Sequence, residues 1–575
     1  MKKFHIILFL CALVLLIYTV IRITSNRSDN WNKIVPATAE KVLWIFEHGK
    51  GDSSFVQVDV PHFQINWGRA LMMGLETDWL DTIPQDQPVL FTVNMWESRW
   101  FPSPGNTALE EIYSGHRDKD IIKLCKEVLS DYPNIWLRWN PEMEVPANRF
   151  PWQNAPFAYI RAFRHLDSVL SVHAPSTRLV WGPAGYPGAP EFWPGDDAAE
   201  LASITLNSKS EALVSAYPSP GSAGIELKRK LHRLRFLDVP VIILARNKVS
   251  PTADDLQYII GEREAHPEVY RIENENGNEA NQSENENGNE AYQNENENGN
   301  ERQSIRIGLY DPERRLISND NVEVEHLFTD FEQVDDGRFY TSMKDAEKRN
   351  HDLIVTFEPM YPSASERDRE VLNKVLAGTY DSLFSQFLTQ LSEFNGQIYL
   401  RFAHEMEIPI ERYPWQSQDP IKYIDAFRYF MDMARSVLPE VQRIWGPAGD
   451  RGSLEWYPGD DYVDMISVAI YGLPDKNITD PEKQESFETI YNRKYRRMSF
   501  VDKPVFITEF GVKGPDDFQR MWLQNAVSVI RKHNEIVGIN YFNMIDNPDV
   551  WGEGMKAPDW SLTENTWSEF TEAVK

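Results

Sequence analysis

The chain has 575 residues and 42% of them are apolar, enough for more than one sizeable core. A formal net charge of −28 argues against nucleic acid or an anionic membrane surface as a partner. The two cysteines, Cys11 in an apolar run and Cys125 in a helical pattern, are unsuited to each other, so the fold does not depend on a disulfide.

Lys2 and Lys3 precede an apolar run over residues 4–21, and Arg22 and Arg27 follow it. The run is long enough for a short membrane span or a long signal-peptide core. No small-x-small cleavage site follows it. Residues 1–30 therefore read as a signal anchor or signal peptide. The bulk of the chain is expected to be exported: single-pass on the cell membrane with a periplasmic or extracellular catalytic domain, or secreted.

Residues 41–272 and 304–575 flank a tract at 273–303 that repeats Glu, Asn and Gly with an 11-residue period. Nine glutamates and almost no apolar side chain lie there. Such a composition cannot bury enough surface to offset its ordering entropy, so it reads as a disordered linker.

The flanking halves match each other. TrpGlyProAlaGly occurs at 181–185 and 445–449, and PheProTrpGln at 150–153 answers TyrProTrpGln at 413–416. ArgTrpAsnProGluMetGlu from 138 answers ArgPheAlaHisGluMetGlu from 401. The spacing is kept, with 15 residues from Trp181 to Asp196 and from Trp445 to Asp460. The chain reads as two copies of one domain.

In the second half, candidate strands at 305–309, 352–357, 397–403, 441–445, 463–470, 504–509 and 537–542 alternate with helical patterns such as 367–393, 420–437 and 516–533. This βα rhythm over about 270 residues predicts an α/β fold of two tandem (β/α)8 barrels. Only 27 residues separate Ala245 from Ile272, against 66 after Glu509, which leaves room for an incomplete first barrel that borrows packing from the second.

Two strands of the second half end in carboxylates, Glu405 after 398–404 and Glu509 after 504–508. In a parallel barrel all such ends share one face, so the two acids converge. Paired carboxylates, one protonated and one ionised, are the equipment of retaining glycoside cleavage. Neither His and Cys spacing nor any Gly-rich phosphate loop points to a metal or cofactor, and none is expected.

ArgPheAlaHisGluMet at 401–406, ThrGluPheGly at 508–511 and TyrPheAsn at 541–543 resemble glycoside hydrolase family 26, the group of β-mannanases and lichenases. The resemblance covers nearly all of 305–575 and implies that Glu405 is acid/base and Glu509 nucleophile. It implies that His404 contacts the sugar, that Tyr471 hydrogen-bonds the nucleophile, and that Trp415 and Trp551 belong to the substrate-binding set. AspTrp at 559–560 resembles the family's downstream tryptophan. Arg401 either orients Glu509 or forms a barrel-interior ion pair. Glu407 stands where the family often has Asn; it either reads a sugar hydroxyl or points away.

In the first half Glu142 takes the place of Glu405, but Pro141 replaces His404, Asn207 replaces Tyr471 and Ala245 replaces Glu509. The register is set by 49 residues from Asp196 to Ala245 and from Asp460 to Glu509. Alanine cannot form a glycosyl intermediate, so residues 41–272 are expected to be non-catalytic. The expected function is a retaining endo-β-glycosidase acting on a β-linked polysaccharide, tethered to the membrane by the N-terminal segment. The competing expectation is a glycan-binding or scaffold protein with two silent barrels.

Overall fold

The computed structural model describes residues 34–37, 40–47, 55–67, 87–95, 107–130, 132–214, 222–246, 250–265, 304–364, 366–409, 412–472, 485–546 and 557–575. The chain divides into two compact units, Met1–Glu262 and Arg263–Lys575. The N-terminal apolar run, the Glu/Asn/Gly tract and Trp551 lie outside the described residues. Among the described residues no helix is long and apolar enough to cross a membrane.

The second unit is a closed barrel of parallel strands. They are β10 (Arg306–Tyr310), β11 (Val324–Asp330), β12 (Asp352–Glu358), β13 (Ile398–Phe402), β14 (Gln442–Trp445), β15 (Met465–Ile466) continued by β16 (Ala469–Gly472), β17 (Val505–Val512) and β18 (Ile536–Phe542). β10 pairs with both β11 and β18, and β15 with β14 and β17, so no edge is left. Strand β11 is absent from the sequence reading because Glu325 and His326 interrupt its apolar pattern. Both are buried: Glu325 is held by Arg349 and His351, and His326 by Thr356. The helix expected over 367–393 is two, Val371–Leu376 and Asp381–Leu391, broken at Gly378 with φ +70°. Glycine adopts that left-handed turn without steric cost.

The repeated TrpGlyProAlaGly motif has a steric explanation. A Cβ at Gly446 would lie 2.3 Å from Cδ of Arg401, and one at Gly182 would lie 2.9 Å from Cγ of Arg138. Glycine lets each buried arginine pass under the chain. The second glycine of each motif, Gly185 or Gly449, has positive φ, and its N–H donates to a buried carboxylate, Glu144 or Glu407.

The first unit is an incomplete barrel, as the short stretch after Ala245 left room for. Strands β4 (His62–Trp67), β5 (Val89–Met95), β6 (Ile135–Trp139), β7 (Arg178–Trp181), β8 (Leu201–Leu206) and β9 (Val241–Arg246) run parallel in that order. Antiparallel strands flank them: β1 (Ile34–Pro36) pairs with β4, and β2 (Glu40–Phe46) pairs with β9 and with the short β3 (Val56–Gln57). One N-terminal segment thus serves both edges of a curled six-stranded parallel sheet. It starts ahead of the expected boundary at residue 41. The short stretch after Ala245 holds a helix, Ala253–Ala265, and no further strand among the described residues.

Candidate active site

The site is built on the C-terminal strand ends of the second unit. Glu405 lies just beyond β13, where Ala403 (φ +46°) and Glu405 (φ +52°) both adopt left-handed backbone. This geometry is uncommon for non-glycine residues and persists only where surroundings hold it. Here the Glu405 N–H donates to the Gly446 carbonyl (2.9 Å), and Gln416 Nε2 donates to the Glu405 carbonyl (3.0 Å). Trp415 Nε1 donates to the His404 carbonyl at 2.7 Å. The first unit keeps the same brace: Gln153 bonds Glu142 and Trp152 bonds Pro141.

Trp415 is fully buried and stacks on Tyr413 with centroids 4.7 Å apart. It has no exposed face to line a cleft; it positions the strand end instead. His404 is also buried, with Nε2 3.9 Å from Glu358 Oε1. Burial, then the cationic Arg401 and Arg412, hold the imidazole neutral, its pKa well below the usual histidine range.

Glu509 sits inside β17 with both oxygens engaged. Arg401 donates to Oε1 and Tyr471 OH to Oε2, the latter at 3.1 Å. Arg401 is itself fixed by Thr356 (2.8 Å) and Thr508 (2.9 Å). Of its two expected roles, the structure places it on Glu509, within the barrel interior. Burial and the neighbouring Glu509 keep the Tyr471 phenol protonated, so it remains a donor. Trp560, fully buried, lies against the Tyr471 ring at 4.8 Å.

The two carboxylates differ in environment. The Glu405 pKa is pushed up to about 8, first by burial and then by the charge of Glu509, against the pull of Arg412. An acid that keeps its proton thus faces a carboxylate held by a guanidinium. If Glu405 works as a general acid, kcat/KM requires its protonated form. The rate should therefore fall as pH rises past about 8. Glu405→Gln should remove that limb; a pH profile with the limb intact in the variant would reject the role.

Glu407 is held by the turn at 449–453. It accepts from the N–H groups of Gly449 (2.9 Å) and Asp450 (3.0 Å) and from Ser453. It holds a turn rather than reading a sugar.

Sequence reasoning passed over Glu358, Arg412, Tyr413 and Tyr310. Glu358 and Glu405 act on Arg412 and Tyr413, and Glu358 and Glu509 on Tyr310. Glu358 ends strand β12, a position the strand-end argument could have flagged. Among the described residues, no group of three His, Cys, Asp or Glu side chains is placed to hold a metal ion.

In the first unit the sequence spacing puts Ala245 where the second has Glu509. Glu142 is bound by the hydroxyls of Ser208 (2.8 Å) and Ser210. The buried Arg138, counterpart of Arg401, is held by Ser203 (2.9 Å), Thr205 (2.8 Å) and, at 3.1 Å, by Glu40 from the antiparallel strand β2.

No known family profile matches the chain. It is similar to endoglucanase H of Acetivibrio thermocellus, 24% identical over 226 residues that span 37% of this chain and 23% of that protein. It is also similar to beta-1,3-xylanase TXYA of a Vibrio species, 25% identical over 170 residues, 27% of this chain and 33% of that protein. The chain thus spans a third or less of the length of these relatives. Among solved structures, a Cellulomonas fimi endo-beta-1,4-mannanase double mutant aligns over 47% of this chain and 70% of its own, at 15% identity and TM-score 0.35. The sequence similarities relate the chain to glycoside hydrolases.

Proposed function

We propose that the second unit is a retaining endo-β-glycosidase of the family 26 type, and that the two units are copies of one domain of which the first is catalytically silent. The observation that carries this is the pairing of a proton-holding Glu405 with an arginine-bound Glu509 on one barrel face. In this reading Glu405 protonates the leaving oxygen while Glu509 attacks the anomeric carbon. Water, deprotonated by Glu405, then attacks the anomeric carbon and displaces the Glu509 carboxylate, freeing the sugar. Tyr471 and Arg401 steady the nucleophile. The names of the two curated relatives support a β-linked polysaccharide as substrate.

The test is the stereochemistry of the first product. The full chain is incubated with β-1,4-mannan, mixed-linkage β-glucan and β-xylan, and the anomeric proton is followed by NMR. Retention is expected on at least one polymer. An inverted first product would overturn the double displacement, and binding without cleavage of any of them would favour the glycan-binding alternative.

A further inference from the structure

Resting on the glycosidase reading, we propose that Glu358 is a substrate-binding carboxylate that accepts hydrogen bonds from hydroxyls of the sugar lying against His404 and Glu405. Glu358 ends β12 and is the cross-strand partner of Asp330. Its side chain is 12% exposed, partly open rather than sealed in the core. Its Oε1 lies 3.9 Å from His404 Nε2, too far for a direct bond. A neutral imidazole offers a donor or an acceptor and a carboxylate offers only acceptors. A sugar hydroxyl, being both donor and acceptor, satisfies the two together.

The other neighbours are consistent with a carboxylate awaiting donors. Burial and Asp330 push the Glu358 pKa up to about 7, against the pull of Arg412 and the Tyr413 hydroxyl. Asp330 is not a second reader. Both its oxygens are taken by Gln333, at 2.9 Å each, in capping the helix that follows.

The first unit provides an internal comparison. Asn66 and Asn94 are cross-strand partners there, at the strand ends that carry Asp330 and Glu358 in the second unit, and the two amides bond each other at 3.2 Å. Phe150 stands for Tyr413, without a hydroxyl, and Pro141 for His404. Residues of the brace and frame are kept in both units: Arg138 with Arg401, Trp152 with Trp415, Gln153 with Gln416, Glu144 with Glu407. Glu358 is therefore grouped with Glu509, Tyr471 and His404, the side chains lost together where the nucleophile is lost.

The experiment uses the full chain with manno-, gluco- and xylohexaose as probes. Glu358→Ala should lower kcat/KM on the cleaved hexaose by about 100-fold, and Tyr413→Phe by about 10-fold. In Glu509→Gln protein, calorimetric affinity for that hexaose should fall when Glu358→Ala is added. Thermal melting checks folding; should Glu358→Ala unfold, Glu358→Asn, the first unit's own residue there, takes its place. Cleavage of a hexaose with folded variants within threefold of the parent overturns this inference alone. Failure of the parent to cleave or bind any hexaose overturns the glycosidase reading and this one with it.

Discussion

Glu509→Gln is expected to lower kcat by about five orders of magnitude, roughly 7 kcal/mol of transition-state stabilisation. An amide cannot form the glycosyl intermediate. The choice of glutamine matters, because Arg401 is only 2% exposed and donates to Glu509. Glu509→Ala would remove the carboxylate and leave a buried guanidinium without its anion. Breaking such a pair typically costs about 3–5 kcal/mol. Glutamine keeps the volume and an oxygen acceptor for Arg401 and Tyr471. The melting temperature of the glutamine variant should therefore stay within a few degrees of the parent, while that of the alanine variant drops. Purified Glu509→Gln protein retaining more than about one per cent of parental turnover would exclude Glu509 as nucleophile.

The second large effect is expected far from catalysis, at Glu40. The first unit has the alanine that the second cannot tolerate, and its Arg138 is 1% exposed. The negative charge missing at Ala245 is returned by Glu40, whose strand pairs antiparallel with β9 and places Lys41 opposite Ala245. Glu40→Ala should therefore destabilise the first unit by about 3 kcal/mol. With two compact units a single melting transition is a poor measure. Hydrogen exchange of Ile135–Trp139 and Val241–Arg246 in the full chain reads the unit directly. Adding Ala245→Glu should recover more than half of the lost protection, because a carboxylate then reaches Arg138 from the position Glu509 holds in the other unit. Unchanged exchange in Glu40→Ala, or no recovery in the double variant, would remove the compensation argument.

Both results turn on one physical point, that a buried guanidinium requires acceptors, whichever strand delivers them. In the proposed mechanism the second unit draws catalytic use from that requirement. The first satisfies it with a residue from a strand of opposite direction.

Local pattern was enough for several features of this protein. The apolar run ending in Glu405 located the end of β13, whereas the run ending in Glu509 stops short, because β17 continues to Val512. The βα rhythm anticipated the parallel closure of the second unit. The matched motifs align Ala245 with Glu509 by spacing alone. Chain folding decided the rest, because the deciding interactions join residues far apart in sequence. Strand β11 carries Glu325 and His326 in its interior, and only Arg349, His351 and Thr356 make them tolerable there. Trp415 reads as a sugar platform until its indole is seen bonded beneath the His404 carbonyl. Glu407 reads as a third site acid until the N–H groups of Gly449 and Asp450 are seen to claim it. The closure of the first unit was least legible of all. A strand such as Glu40–Phe46 carries no mark of its direction, and direction is set by which edge of a curled sheet still has unpaired N–H and C=O groups to offer.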